Sequence, residues 1–365
     1  MYDALFQPFH AGNLSVSNRI VMAPMTRSFS PGGVPGAEVA QYYAVRAAGG
    51  VGLIITEGTT IDHPSASADP RIPNFHEKEA LAGWAQVVAA VHGEGGKIMP
   101  QLWHMGSMRD PGTGPHPDAP SVSASGLKHP AKQNAETLSE KEIAEIVEAF
   151  ARSAYAAREC GFDGVQIHGA HGYLIDQFFW EGTNLREDDF GGDLVQRTRF
   201  ACDIVAAIRA AVGDDYPIIL RYSQWKQQDF EHKMAPTPDQ LKAFLDPLVA
   251  AGVDVFDCST RRFWEPEFEG DPRNLAGWTK ELSGQPTITV GSVGLDGEFV
   301  ASFQGAGAGV APIDGLVERL EKGEFDLVGV GRALLVDPRW PNKIRNGELD
   351  ALLPYSKESM AELVV

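Results

Sequence analysis

Apolar residues recur along this chain in two alternating rhythms. Short, nearly continuous apolar runs occupy residues 19–23, 51–56, 97–102, 165–168, 217–222, 253–258, 287–290 and 327–330, the pattern of strands buried on both faces. Between them lie longer stretches with apolar positions at helical spacing, including 38–48, 77–92 and 194–212. Two helix starts are explicit. Ser139-Glu140-Lys141-Glu142 reads as a capping box, after which Ile143, Ile146, Val147, Phe150 and Ala154 share one face until Gly161. Thr237-Pro238-Asp239-Gln240 supplies a cap, a proline at the first helical position and a glutamine at the third. Ahead of all this, Gly12-Asn13 between two short apolar pieces predicts a hairpin. Stretches 103–136 and 259–285 keep neither rhythm, so long loops are expected after the third and sixth strands.

Eight strands alternating with helices, with no linker or shift in composition across residues 1–365, predict one α/β domain, a (β/α)₈ TIM barrel. The alternative is a doubly wound open sheet, which normally carries a dinucleotide fingerprint. Gly305-Ala306-Gly307-Ala308-Gly309 follows a helical segment and lacks that spacing, so it is read as a flexible connection.

Composition narrows the partners. The 31 basic and 49 acidic residues leave a net charge of −18, which disfavours nucleic acid and anionic membrane surfaces. No apolar run approaches a membrane span, and the opening MYDALFQPFH has neither the basic nor the apolar region of a signal peptide. Cys160, Cys202 and Cys258 are far apart and too few for a four-cysteine iron–sulfur site, as fits a reducing compartment. A cytoplasmic enzyme acting on a small molecule is expected; oligomeric state is not readable.

In a barrel the chemistry sits at the C-terminal ends of the strands. Those ends read Pro24-Met25-Thr26, Thr56-Glu57-Gly58, Gln101-Leu102-Trp103-His104, His168 with His171 and Tyr173, Arg221, Gly291-Ser292 and Gly331-Arg332. Two imidazoles and a phenol leaving one strand can donate hydrogen bonds and move protons. Zinc would need a third ligand, for which His104 is available, so a metal hydrolase remains open at this point. Glycines with Arg332 after the last two strands suit a phosphate, which bare backbone N–H groups and a guanidinium can approach. A phosphate site beside polar strand ends able to meet a flat heteroaromatic edge points to a mononucleotide such as FMN.

These stretches together resemble the old yellow enzyme family of flavin ene-reductases. The resemblance runs from Asn18-Arg19-Ile20-Val21-Met22-Ala23-Pro24-Met25-Thr26-Arg27 through Gln101-Leu102-Trp103-His104 and His168-Gly169-Ala170-His171-Gly172-Tyr173-Leu174 to Val330-Gly331-Arg332. It implies an FMN-bearing barrel that takes hydride from NADH or NADPH and passes it to an activated alkene, with no resident metal. By resemblance, Thr26 meets the flavin C4 carbonyl, Gln101 the pyrimidine edge and Arg221 the N1/C2 region. Pro24, Met25 and Gly58 line the ring, and Gly291, Ser292, Gly331 and Arg332 hold the phosphate. His168 and His171 hold the substrate carbonyl oxygen, and Tyr173 protonates the alpha carbon. Trp103, Trp264 and Phe268 are further candidates for the substrate pocket. Nitro or nitrate-ester reduction, or oxidative N-demethylation, on the same fold is the alternative activity.

The chain departs from the family pattern in places. Trp180-Glu181-Gly182-Thr183 replaces a common Ser-Pro start, and Phe190 stands where Tyr is usual. The segment Ala333-Leu334-Leu335-Val336-Asp337-Pro338 is closer to the dienoyl-CoA reductase branch, whose cysteine-rich iron–sulfur segment has no counterpart in these residues. The loop Arg261-Arg262-Phe263-Trp264-Glu265-Pro266-Glu267-Phe268 matches no family pattern.

Overall fold

A computed structural model describes residues 2–298 and 305–365. Eight parallel strands close into a barrel: β1 (Ile20–Met22), β2 (Leu53–Thr60), β3 (Lys97–Trp103), β4 (Val165–His171), β5 (Ile218–Lys226), β6 (Val255–Ser259), β7 (Thr287–Val290) and β8 (Leu327–Val330). Each strand pairs with the next in sequence, and β8 closes on β1. Helices Ala37–Ala48, Lys78–Gly93, Glu140–Glu159, Arg199–Val212, Pro238–Ala251, Leu275–Ser283 and Asp314–Glu321 alternate with the strands. Ser139 forms the expected capping box with Glu142, and the Thr237 side chain accepts from the Gln240 amide.

The strand alternation divides the core in two. Outward residues such as Ile20, Ile54, Ile98, Ile167, Leu220, Phe256 and Val328 join the large cluster under the helices. Inward residues Val21, Leu53, Ile55, Met99, Ile219, Val255, Ile288 and Leu327 form a second cluster. The N-terminal hairpin, Phe9–Ala11 paired with Leu14–Val16, adds Phe9, Leu14 and Val16 to that inner cluster and so plugs one end of the barrel. Gly12, at φ +53°, makes its tight turn.

Several element boundaries differ from expectation. β2, β4 and β5 run on to Thr60, His171 and Lys226, past the apolar runs that marked them. The stretch after β6 is not loop as far as residue 285. Helix Leu275–Ser283 lies within it, capped by Asn274, whose side chain accepts from the Gly277 amide, and stopped by Gly284 at φ +70°. Its helical spacing is blurred by Gly277 in the first turn, while a cap supplies what the apolar pattern does not. The loop after β3 is long, as expected, and carries two small strand pairs, Val122–Ser123 with Glu136–Thr137 and Leu127–His129 with Lys132–Gln133. The glycine-rich connection is tied rather than free: Ala308 bridges Tyr355 and Val310 bridges Leu295. The helical segment expected before Gly305 falls on residues 299–304, outside the described residues. Among the described residues no helix is long and apolar enough to cross a membrane.

Candidate active site at the C-terminal mouth of the barrel

The strand ends that looked reactive in sequence converge opposite the hairpin plug. β4 carries the centre. Its pairing with β5 shifts register between Gly169 and His171, and His171 sits at φ +65°. A bulge of this kind re-aims the side chain that follows, and the left-handed backbone costs about 1–3 kcal/mol for a non-glycine residue. The surrounding turn is heavily held. The His171 amide donates to Ser223 Oγ at 3.0 Å, and the Gly172 amide to Asp176 Oδ2 at 2.7 Å. Asp176 is paired with Lys226, both fully buried, and Gln177 donates to the Gly172 carbonyl at 2.7 Å.

The result is a compact ring cluster. His168 lies 5.2 Å from His171 and 5.0 Å from Tyr173 between ring centroids, and Trp103 lies 4.9 Å from Tyr173. The Ala170 amide donates to His168 Nδ1 at 3.3 Å, so the proton of a neutral His168 ring stands on Nε2. His171 Nε2 lies 2.8 Å from Ser259 Oγ. Among the described residues, His168 Nε2 and His171 Nδ1 have no hydrogen-bond partner. Burial and the Arg221 guanidinium push both imidazoles well below their usual range, with His168 and Lys226 adding to the effect at His171. Both rings are therefore neutral at physiological pH. Burial raises the Tyr173 phenol, which stays protonated.

A polar belt crosses the mouth beneath this cluster. Gln101 donates to Gln166 at 2.7 Å, and Gln166 to Asp257 at 2.9 Å. The Asp257 carboxylate lies 3.7 Å from Arg221 Nε, and Arg221 donates on to Ser259 Oγ at 3.2 Å. Gln166, Asp257 and Ser259 were not among the expected site residues. The available signal was a polar residue at an inward position of an otherwise apolar strand.

Thr26 is exposed at the mouth, with Pro24 and Met25 half-buried beside it. Its loop is pinned by Glu57, which accepts from the amides of Arg27 at 2.8 Å and Ser28 at 3.0 Å. Burial raises the Glu57 carboxyl from 4.5 to about 7, against those hydrogen bonds. Gly58 backs onto Trp103, where a Cβ would come within 2.6 Å of the indole. Ser292 and Arg332 are neighbours at 3.4 Å, and the guanidinium also meets the carbonyls of Gly297 and Glu298. Gly291, at φ +149°, is required by its own turn. Gly331 has its backbone at φ −103° and ψ −101°, outside the regions that other residues favour, and a Cβ there would meet nothing closer than Met25 Sδ at 3.6 Å. Among the described residues the buried Arg221 Nε has no hydrogen-bond partner, its ion-pair neighbour Asp257 standing 3.7 Å away. Glycines at the last two strand ends beside Arg332, and a buried Arg221 guanidinium whose Nε makes no hydrogen bond among the described residues, fit the phosphate and the ring edge of FMN.

Trp264 and Phe268 stand apart from this cluster. Trp264 is 45% exposed with its ring against Phe263, and Phe268 is buried against Trp278. Neither makes a ring contact with His168, His171 or Tyr173. His104 turns away to His63, 2.9 Å between ring nitrogens, and among the described residues no three His, Cys, Asp or Glu side chains are placed to hold a metal.

Comparison with known proteins identifies the family to which this barrel belongs. The chain belongs to the NADH:flavin oxidoreductase / NADH oxidase family, whose model matches residues 4–350, and within it to the old yellow enzyme family. It is 35% identical to an NADH oxidase of Thermoanaerobacter brockii over 95% of this chain, but spans only 51% of that protein. It is 32% identical to 12-oxophytodienoate reductase 7 of Oryza sativa subsp. japonica, covering 93% of this chain and 87% of the relative. Among solved structures, morphinone reductase in complex with tetrahydroNAD superposes with a TM-score of 0.81 at 28% identity, covering 98% of this chain and 93% of that one. The old yellow enzyme homologue from Zymomonas mobilis gives 0.81 at 26% identity, covering 98% and 96%.

Proposed function

We propose that this protein is an FMN-dependent ene-reductase that uses NADH or NADPH to reduce an alkene conjugated to a carbonyl. The observation that carries the reading is the convergence of two neutral imidazoles, each with a free nitrogen, and a protonated phenol at one barrel mouth. FMN, when bound, supplies a carrier that accepts hydride from a nicotinamide and delivers it to the beta carbon of the alkene. Thr26, Gln101 and Arg221 hold its ring edges, Pro24, Met25 and Gly58 line the ring, and Gly291, Ser292, Gly331 and Arg332 hold its phosphate.

The chain's own part in alkene reduction is electrostatic and protic. As hydride reaches the beta carbon, negative charge grows on the carbonyl oxygen. His168 and His171 donate to that oxygen, and donors aimed at developing charge act most strongly in the transition state. Neither needs to be charged. Tyr173 then gives its proton to the alpha carbon, for which a phenol kept protonated by burial is suited. Trp103 packs against Tyr173 and limits the directions from which the alkene approaches.

The test begins with colour. The purified protein is expected to be yellow and to release FMN on denaturation. Anaerobic NADPH or NADH should bleach it, and cyclohexenone should restore the colour. A colourless protein that takes up no FMN, or a bleached one that cyclohexenone cannot reoxidise, contradicts the reading.

A further inference from the structure

Ser259 ends β6 at the point where the two halves of the site meet. Its hydroxyl is buried and has two partners, Arg221 Nη2 at 3.2 Å and His171 Nε2 at 2.8 Å. Its backbone carbonyl accepts from Trp225 Nε1 at 3.1 Å, and the Trp225 ring stacks on His171 at 4.6 Å between centroids, with 29° between planes. Ring and hydroxyl are thus held in fixed relation.

The geometry points to Ser259 as a positioning residue: its hydroxyl sets the tautomer of His171 and links the guanidinium at the flavin edge to the donor at the substrate oxygen. The inference rests on the reading of His171 as that donor. The reasoning is one of proton inventory. A guanidinium can only donate, so the Arg221 contact occupies a lone pair of Ser259. Among the described residues His171 Nε2 is the one partner left for the serine proton, so the arrangement that leaves no buried hydroxyl proton unpaired has that nitrogen accept it. A neutral His171 then carries its own proton on Nδ1, the nitrogen without a hydrogen-bond partner among the described residues. His168 has the opposite arrangement, because the Ala170 amide occupies its Nδ1 and leaves the proton on Nε2. Two rings in opposite tautomers therefore each keep one N–H without a hydrogen-bond partner among the described residues. Without the serine proton, the ring can place its hydrogen on Nε2 and turn a lone pair toward the substrate oxygen, so that a donor becomes a repelling acceptor.

The consequence is readable without turnover. In holoenzyme labelled with ¹⁵N-histidine, the His171 ring, assigned by the loss of its signals in His171→Asn, should be protonated at Nδ1. Ser259→Ala should move that proton to Nε2 and weaken phenol binding, followed by flavin absorbance, about tenfold. Ser259→Thr, which restores a hydroxyl, should recover both. An Nε2-protonated His171 in the unmodified holoenzyme overturns the inference on its own, even where the alanine variant fails to fold. So does a Ser259→Ala variant with unchanged tautomer or unchanged phenol affinity. Failure of enone to reoxidise the reduced holoenzyme is a separate result that bears on the activity alone.

Discussion

The two ends of this barrel are equally buried and oppositely furnished. At the hairpin end, Val21, Leu53, Ile55, Met99, Ile219, Val255, Ile288 and Leu327 meet Phe9, Leu14 and Val16, an apolar plug that needs no hydrogen-bond partners. At the other end, Gln101, Gln166, His168, Arg221, Asp257 and Ser259 are buried to the same degree. There Glu57 Oε1, Trp103 Nε1, Arg221 Nε and Asp257 Oδ1 have no hydrogen-bond partner among the described residues. A buried polar atom left unpaired costs about 1–3 kcal/mol. Burial alone therefore does not mark an active site. What distinguishes this candidate site is polar capacity that hydrogen bonds among the described residues do not use up, on strands whose opposite ends carry the stability.

The contrast predicts that substitutions at the two ends fail differently. The largest effect is expected from Tyr173→Phe, since positioned acid catalysis is worth roughly 10²–10⁴-fold. Stopped-flow should show alkene reduction slowed by that range and flavin reduction by nicotinamide unchanged; the reverse would remove Tyr173 as proton donor. At the plugged end, Leu53→Ala should cost about 2–5 kcal/mol of unfolding free energy, read by denaturant titration. Its FMN affinity should hold. Loss of FMN affinity there would mean that the two ends are not separable.

Glu57 sharpens the comparison through pH. Its carboxyl rises from 4.5 to about 7 in the folded chain, so the folded state binds the extra proton across that window. This contribution to stability is full below pH 4.5 and is lost as pH rises through about 7, a swing of roughly 3 kcal/mol. Glu57→Gln keeps an acceptor for the Arg27 and Ser28 amides and should flatten that part of the stability profile. Arg332→Ala should have the smallest effect, about 1.5–3 kcal/mol or one to two decades of FMN affinity, with colour regained on adding FMN. Unchanged affinity would remove Arg332 from the phosphate site.

Sequence reading reached the mouth of the barrel better than its wiring. Strand ends are marked by a change from apolar to polar residues, which is local, so His168, Arg221 and Gly331-Arg332 could be placed on them. The belt through Gln166, Asp257 and Ser259 could not, because alternation shows which way a side chain faces and not what it meets across three strands. The Glu57 contacts to Arg27 and Ser28, and the Asp176–Lys226 pair under the turn after β4, are likewise long-range pairings without a local signature. Helix Leu275–Ser283 was hidden for a different reason, a glycine early in a short amphipathic pattern.

The division of labour at the mouth is tested most directly by where isotope lands in reduced cyclohexenone. With nicotinamide deuterated at the transferable position and ordinary water, deuterium should appear at the beta carbon alone. With ordinary nicotinamide in deuterated water, it should appear at the alpha carbon, delivered through the exchangeable phenol of Tyr173. Solvent deuterium at the beta carbon, or nicotinamide deuterium at the alpha carbon, would contradict the account.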